Sequence, residues 1–159
     1  EQELLIASCD YRTRYDADAW EALRSDPTVD GAVWVTRPGA QLFKDLEAFA
    51  WCRVEGRDLV ELVEKRTISD RPERDLLALG TFWFRRVDDF RLAAGAMMAA
   101  GVTVNGEHYV GTSINQLLAR GRRFVVFEVD AWISFGDPFE LELLKWWEGC
   151  LAEAGLLDG

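Results

Sequence analysis

The stretch Glu3-Leu4-Leu5-Ile6-Ala7-Ser8-Cys9, followed by a polar segment and then Gly31-Ala32-Val33-Trp34-Val35, decides the fold class. Residues 3–9 form a short, nearly continuous apolar run, which predicts a strand buried on both faces. Residues 16–23 read as a helix, and Asp30-Gly31 makes a turn into a second buried strand over 32–35. Strand, helix and strand within so short a span predict a βαβ unit and a parallel sheet, hence an α/β fold.

Working outward, residues 49–54 and 59–64 flank Glu55-Gly56-Arg57 and predict a hairpin. A polar loop with Pro72 leads to a strong strand over 76–85, rich in aromatic and apolar residues. Asp88 and Asp89 open a helix that Gly101 closes, and residues 109–120 form another that ends at Gly121. Phe124-Val125-Val126-Phe127 is a further buried strand. Asp137-Pro138-Phe139-Glu140 combines an N-cap, a proline at the first helical position and a capping-box glutamate. Phe139, Leu143, Trp146, Trp147, Cys150 and Leu151 then make an apolar stripe at helical spacing, closed by Gly155. No repeat or linker interrupts the chain, so residues 1–159 read as one α/β domain.

Composition narrows the function. The chain is 49% hydrophobic and 29% charged, with a net charge of −10, which argues against disorder and against nucleic acid as a partner. Cys9, Cys52 and Cys150 are scattered and odd in number, the pattern of a reduced, cytoplasmic protein. The longest uncharged stretch, residues 92–106, is too short to span a membrane. One histidine, His108, and dispersed cysteines supply too few soft ligands for zinc, so a metal here would be a hard cation held by carboxylates.

Several residues stand where chemistry collects. Asp10 follows the first strand, and strand ends in α/β sheets carry ligands; it either holds Mg²⁺ or caps a turn. Lys65 follows the hairpin and either meets a phosphate or lies solvated on the surface. Gly80-Thr81 interrupts a strong strand, a sign of a close approach by a ligand or another backbone, and Trp83 beside it is a candidate pocket wall. Glu107, in Asn105-Gly106-Glu107-His108-Tyr109, either accepts sugar hydroxyls or complements a helix dipole. His108 reads as a packing or surface residue, and Asp137 as an N-cap.

In order and spacing, six segments resemble the C-terminal two-thirds of a sugar-phosphate nucleotidyltransferase of the capsule and surface-polysaccharide type. They are Leu5-Ile6-Ala7-Ser8-Cys9-Asp10-Tyr11, Val63-Glu64-Lys65-Arg66-Thr67-Ile68-Ser69-Asp70, Leu79-Gly80-Thr81-Phe82-Trp83-Phe84-Arg85, Val104-Asn105-Gly106-Glu107-His108-Tyr109, Ile114-Asn115 and Trp132-Ile133-Ser134-Phe135-Gly136-Asp137-Pro138. The resemblance implies a Rossmann-like fold whose mixed, mainly parallel sheet is flanked by helices. It also implies an enzyme joining a sugar 1-phosphate to an NTP, releasing pyrophosphate. Asp10 would bind the catalytic Mg²⁺, and Lys65 the sugar phosphate. Gly80, Thr81 and Glu107 would line the sugar site, with Tyr109 and Asn115 close by.

Three positions depart from the family pattern. Ser134 stands where a metal-binding aspartate is frequent, with Asp130 near but out of register; Asp137 replaces the threonine of the last turn; and Gly111 replaces an acidic residue. The family's glycine-rich Leu-x-Gly-Gly-x-Gly-x-Arg loop has no counterpart here. That absence, with the abrupt start at Glu1, predicts a domain lacking its N-terminal nucleotide-binding part. These residues alone would then be inactive and prone to aggregate, because the strand at 4–9 would need neighbours. The competing expectations are a non-catalytic nucleotide-sugar-binding or regulatory relative of the same fold, and an α/β protein-interaction domain. A homo-oligomer fits any of the three.

Overall fold

The computed structural model describes residues 2–39 and 45–156. Eight strands and four helices occur among them: β1 (Leu4–Ile6), β2 (Tyr11–Arg14), α1 (Ala17–Ser25), β3 (Gly31–Thr36), β4 (Ala50–Glu55), β5 (Asp58–Glu64), β6 (Leu76–Phe84), α2 (Val87–Ala99), α3 (Val110–Leu118), β7 (Phe124–Glu128), β8 (Ala131–Ser134) and α4 (Pro138–Glu153).

Six strands form one sheet in the order β1-β6-β3-β7-β5-β4, and a further pairing between β6 and β4 closes it into a barrel-like ring. Helix α1 covers one face through Trp20 and Leu23, which pack on Trp34, Trp83 and Phe127. On the other face α2 and α3 bury Ala93, Ile114 and Leu117 against Phe84 and Phe124. The α/β architecture with flanking helices is therefore present, but the mainly parallel sheet is not. Only β3 and β7 pair in parallel, and every other ladder is antiparallel. Strands β1 and β3 run the same way, as a βαβ reading requires, yet β6 lies between them and opposes both. The apolar runs that suggested parallel strands are explained by helices on both faces, whatever the direction of the neighbours.

The first strand also departs from expectation. It spans three residues at the end of the sheet, with Leu5 53% exposed, so it is a half-buried edge strand rather than an interior one. The chain leaves it at Ala7 and bends at Cys9 and Asp10 into β2, which pairs with β8 in a separate two-stranded ribbon.

Close backbone approaches dictate two glycines. A Cβ on Gly31 would lie 2.2 Å from the Phe124 ring and 2.6 Å from the Trp83 carbonyl oxygen, so only glycine lets β3 sit between β6 and β7. Gly80 has φ +77°, which allows β6 to bulge where its register against β3 shifts between Val33 and Val35.

Asp137 caps α4 as expected, accepting the Glu140 N–H at 2.9 Å. The Glu140 carboxylate does not complete the capping box; it accepts the Ser134 hydroxyl at 2.6 Å. Nothing among the described residues buries α4. Its stripe is open, with Trp146 58% and Trp147 51% exposed and their rings edge to face at 4.8 Å. No described helix is long and apolar enough to cross a membrane.

Candidate functional site

The β1–β2 turn, the approach to β4, the end of β5, the middle of β6 and the start of α3 converge on one hollow of about 420 Å³. Its wall includes Asp10, Glu64, Lys65, Gly80, Tyr109 and Ser134. The ribbon closes one side. Pairing of Tyr11 with Ser134, and a hydrogen bond from the Phe135 N–H to the Asp10 carbonyl at 3.0 Å, bring the last turn beside Asp10. The Asp10 carboxylate lies against Gly136, where a Cβ would come within 2.8 Å of its oxygen. Tyr11, on the same ribbon, gives its hydroxyl a partner in Thr81, and burial pushes its phenol above the ordinary tyrosine range.

Lys65 ends β5 in a conformation uncommon for a residue with a side chain, φ +56°. Its N–H donates to the Phe49 carbonyl at 2.8 Å, its ammonium donates to the Ala48 carbonyl, and the charge sits 5.5 Å above the centre of the Tyr109 ring. Holding such a backbone costs on the order of 1–3 kcal/mol, and strain of that size is typical of positions that aim a side chain into a site. Tyr109 in turn donates to the Glu107 carboxylate at 2.5 Å, a bond that raises the phenol's pKa. The turn before it places Asn105 at φ +51° and Gly106 at +81°, with Val104 and Glu107 bonded across it.

The wall residue that the sequence reading passed over is Glu64. Burial raises its carboxyl to about 7, although the neighbouring Lys65 pulls the other way. The reason is visible at Gly111, in the first turn of α3. A Cβ there would lie 2.4 Å from the Glu64 carboxylate and 2.6 Å from Leu62. The missing acidic residue at 111 thus makes room for another acid, supplied by β5. Its adjacency to Lys65 in the chain was the available signal.

Four of the seven anticipated residues, Asp10, Lys65, Gly80 and Tyr109, line the one hollow. Glu107 stands behind Tyr109 rather than in the wall. The Thr81 side chain is buried and taken up by Tyr11. Asn115 grips β5 instead, accepting the Leu62 N–H at 2.9 Å and donating to the Leu62 carbonyl at 2.8 Å. Trp83 is not a pocket wall: at 1% exposed it belongs to the core beneath α1, where its aromatic area is worth most. The wall tryptophan is Trp132, whose buried indole N–H has no hydrogen-bond partner. His108 lies on the surface, its ring bonded to the Val102 carbonyl at 2.8 Å.

The donors do not make a resident metal centre. Among the described residues no group of three or more histidine, cysteine or carboxylate side chains could hold an ion. Asp130 does not line the hollow, and Ser134 spends its hydroxyl on Glu140.

No protein-family model matches the chain, and no curated protein does. Solved structures do. The nucleoside-diphosphate-sugar pyrophosphorylase from Vibrio cholerae RC9 matches with a TM-score of 0.66 at 18% identity, over 88% of this chain and 54% of that one. The apo UDP-glucose pyrophosphorylase matches with a TM-score of 0.67 at 12% identity, over 93% of this chain and 55% of that one. The inositol-1-phosphate CTP transferase from T. maritima gives 0.62 at 12% identity, over 88% and 51%. The chain spans about half the length of the structures it resembles, and at these identities the likeness is one of fold.

Proposed function

We propose that a chain with the fold of nucleotide-sugar pyrophosphorylases works as the sugar-phosphate side of a nucleotidyltransferase, in the making of nucleotide sugars for surface polysaccharides. One observation carries the reading: Asp10, Lys65, Gly80 and Tyr109, from four distant segments, share one hollow.

In the proposed reaction an oxygen of the sugar 1-phosphate attacks the α-phosphorus of an NTP. The bond from that phosphorus to the bridging oxygen breaks, and its electrons leave with pyrophosphate. The nucleophile is already an anion, so the protein's task is placement and charge neutralisation. Lys65 would exchange the Ala48 carbonyl for the phosphate of the sugar substrate. That exchange is favourable because an ammonium binds an anion more strongly than it binds a neutral carbonyl. Gly80 leaves the sugar ring room, and the hydroxyl of Tyr109, backed by Glu107, is placed for a sugar hydroxyl. Asp10 is the carboxylate that would hold Mg²⁺, which when bound would supply charge neutralisation at the phosphates.

The test is pyrophosphate release by the intact protein across a panel of NTPs and sugar 1-phosphates with Mg²⁺. Turnover is expected, with Asp10→Asn abolishing it and Lys65→Ala raising the KM for the sugar phosphate. No release from any pair would remove the catalytic reading. A second reading, nucleotide-sugar binding without turnover, draws on Ser134, which leaves Asp10 without a second carboxylate from the last turn. Saturable nucleotide-sugar binding with no pyrophosphate release would select it.

A further inference from the structure

A second hollow, of about 680 Å³, opens beyond the β4–β5 hairpin, lined by different residues from the first. Its origin lies in the sheet. Strand β5 meets β7 at a single register pair, Asp58 with Val125, and the two then diverge while the hairpin turns to pair with β6. The gap has an apolar floor, with Cys52 and Leu76 buried and Val54 and Val126 half-buried.

The rim carries four arginines from four segments: Arg37 after β3, Arg53 on β4, Arg57 in the hairpin turn and Arg74 before β6. The wall acids are Glu55, Asp75 and Glu128, so arginines outnumber acids in the lining by four to three in a chain of net charge −10. By contrast, among the described residues Lys65 is the one cation in the wall of the first hollow, which it shares with Asp10 and Glu64.

The rim is partly organised. Arg37 donates to the Arg74 carbonyl at 3.1 Å and pairs with Glu128 at 3.2 Å, which ties two sides of the gap together. Arg53 pairs with Glu61 at 2.9 Å, while Arg74 reaches Glu73 only at 4.0 Å. The Arg57 carbonyl accepts the Val126 N–H at 2.9 Å, while its guanidinium makes no hydrogen bond or ion pair among the described residues and acts on Asp26 only through its charge. These pairs are exposed, and exposed pairs are held weakly. A multivalent anion would therefore displace them at little cost and gain several guanidinium forks at once.

We propose that this second hollow binds the polyphosphate group of a small phosphorylated ligand, at a site separate from the one assigned above. The inference does not rest on the proposed catalytic role.

The test uses inorganic pyrophosphate as probe, on the intact ¹⁵N-labelled protein carrying Lys65→Ala so that the first hollow has lost its cation. Saturable one-to-one binding at about 150 mM chloride is expected. Amide shifts should concentrate at residues 53–57, 69–76 and 126–128. The double variant Arg57→Ala/Arg74→Ala removes side chains that hold no other element, and it should weaken binding at least tenfold. No binding, shifts centred on Ser8–Tyr11, or undiminished binding by the double variant would each overturn the proposal.

Discussion

Substituting Glu64 by glutamine isolates the energetics of the first hollow. The carboxyl is raised from its ordinary 4.5 to about 7 by burial, with Lys65 offsetting part of the effect. The native state therefore keeps its proton where the unfolded chain has already lost it. Stability attributable to this group is intact below pH 4.5, falls as the pH rises, and is gone above about 7. Once the group is ionised in both states the penalty is about 3 kcal/mol, of which a little under 1 kcal/mol is already spent at pH 5. Glutamine is nearly isosteric and does not ionise, so Glu64→Gln should gain on the parent by about 2 kcal/mol between pH 5 and pH 8. Urea unfolding followed by tryptophan fluorescence at the two pH values measures this directly. An offset between variant and parent that is the same at both pH values would refute the reasoning, as would a variant that loses ground at pH 8.

Other perturbations test the packing. Asn115→Ala strands both the N–H and the carbonyl of Leu62 and should cost about 2 kcal/mol in denaturant stability, with the fold retained. Gly31→Ala drives a methyl into Phe124 and the Trp83 carbonyl, and a loss of about 3 kcal/mol or failure to fold is expected. Trp146→Ser with Trp147→Ser should change stability by no more than about 0.5 kcal/mol, because both rings are open to solvent. Trp51→Ala, at a fully buried ring, should cost about 4 kcal/mol by the same assay. In the native protein a thiol reagent should label exposed Cys9 promptly and spare Cys52, whose thiol is buried with its pKa pushed up.

Local chemistry was legible in the sequence wherever neighbours along the chain settle the outcome. Asp137 caps its helix as read, a helix forms where residues 16–23 predict one, and the hairpin over Glu55-Gly56-Arg57 forms. Direction and exposure were not legible, because they depend on partners far along the chain. An apolar run such as Leu4-Leu5-Ile6 looks the same at a sheet edge as in its interior, and the period carries no sign of whether the neighbour runs parallel. Tyr11–Arg14 and Ala131–Ser134 were not read as strands at all, since each is too short to signal alone and each pairs only with the other. The α4 stripe has the right period for burial, yet Trp146 and Trp147 in it stay more than half exposed. Asp10, Lys65, Gly80 and Tyr109, singled out through the family resemblance, line the first hollow together. Thr81 and Asn115 could not be judged, because only the fold reveals that Tyr11 and Leu62 occupy their hydrogen bonds.

The β2–β8 ribbon has a kinetic consequence. It joins segments about 120 residues apart, so the entropy of closing that loop must be met before the ribbon repays anything. Its eight residues bury little apolar surface, and contacts of such long range form late. During folding, the six-stranded sheet should therefore be in place before Asp10 and Ser134 meet. During synthesis the hollow cannot close until β8 has left the ribosome, so the site takes its shape only after every strand of the six-stranded sheet has emerged.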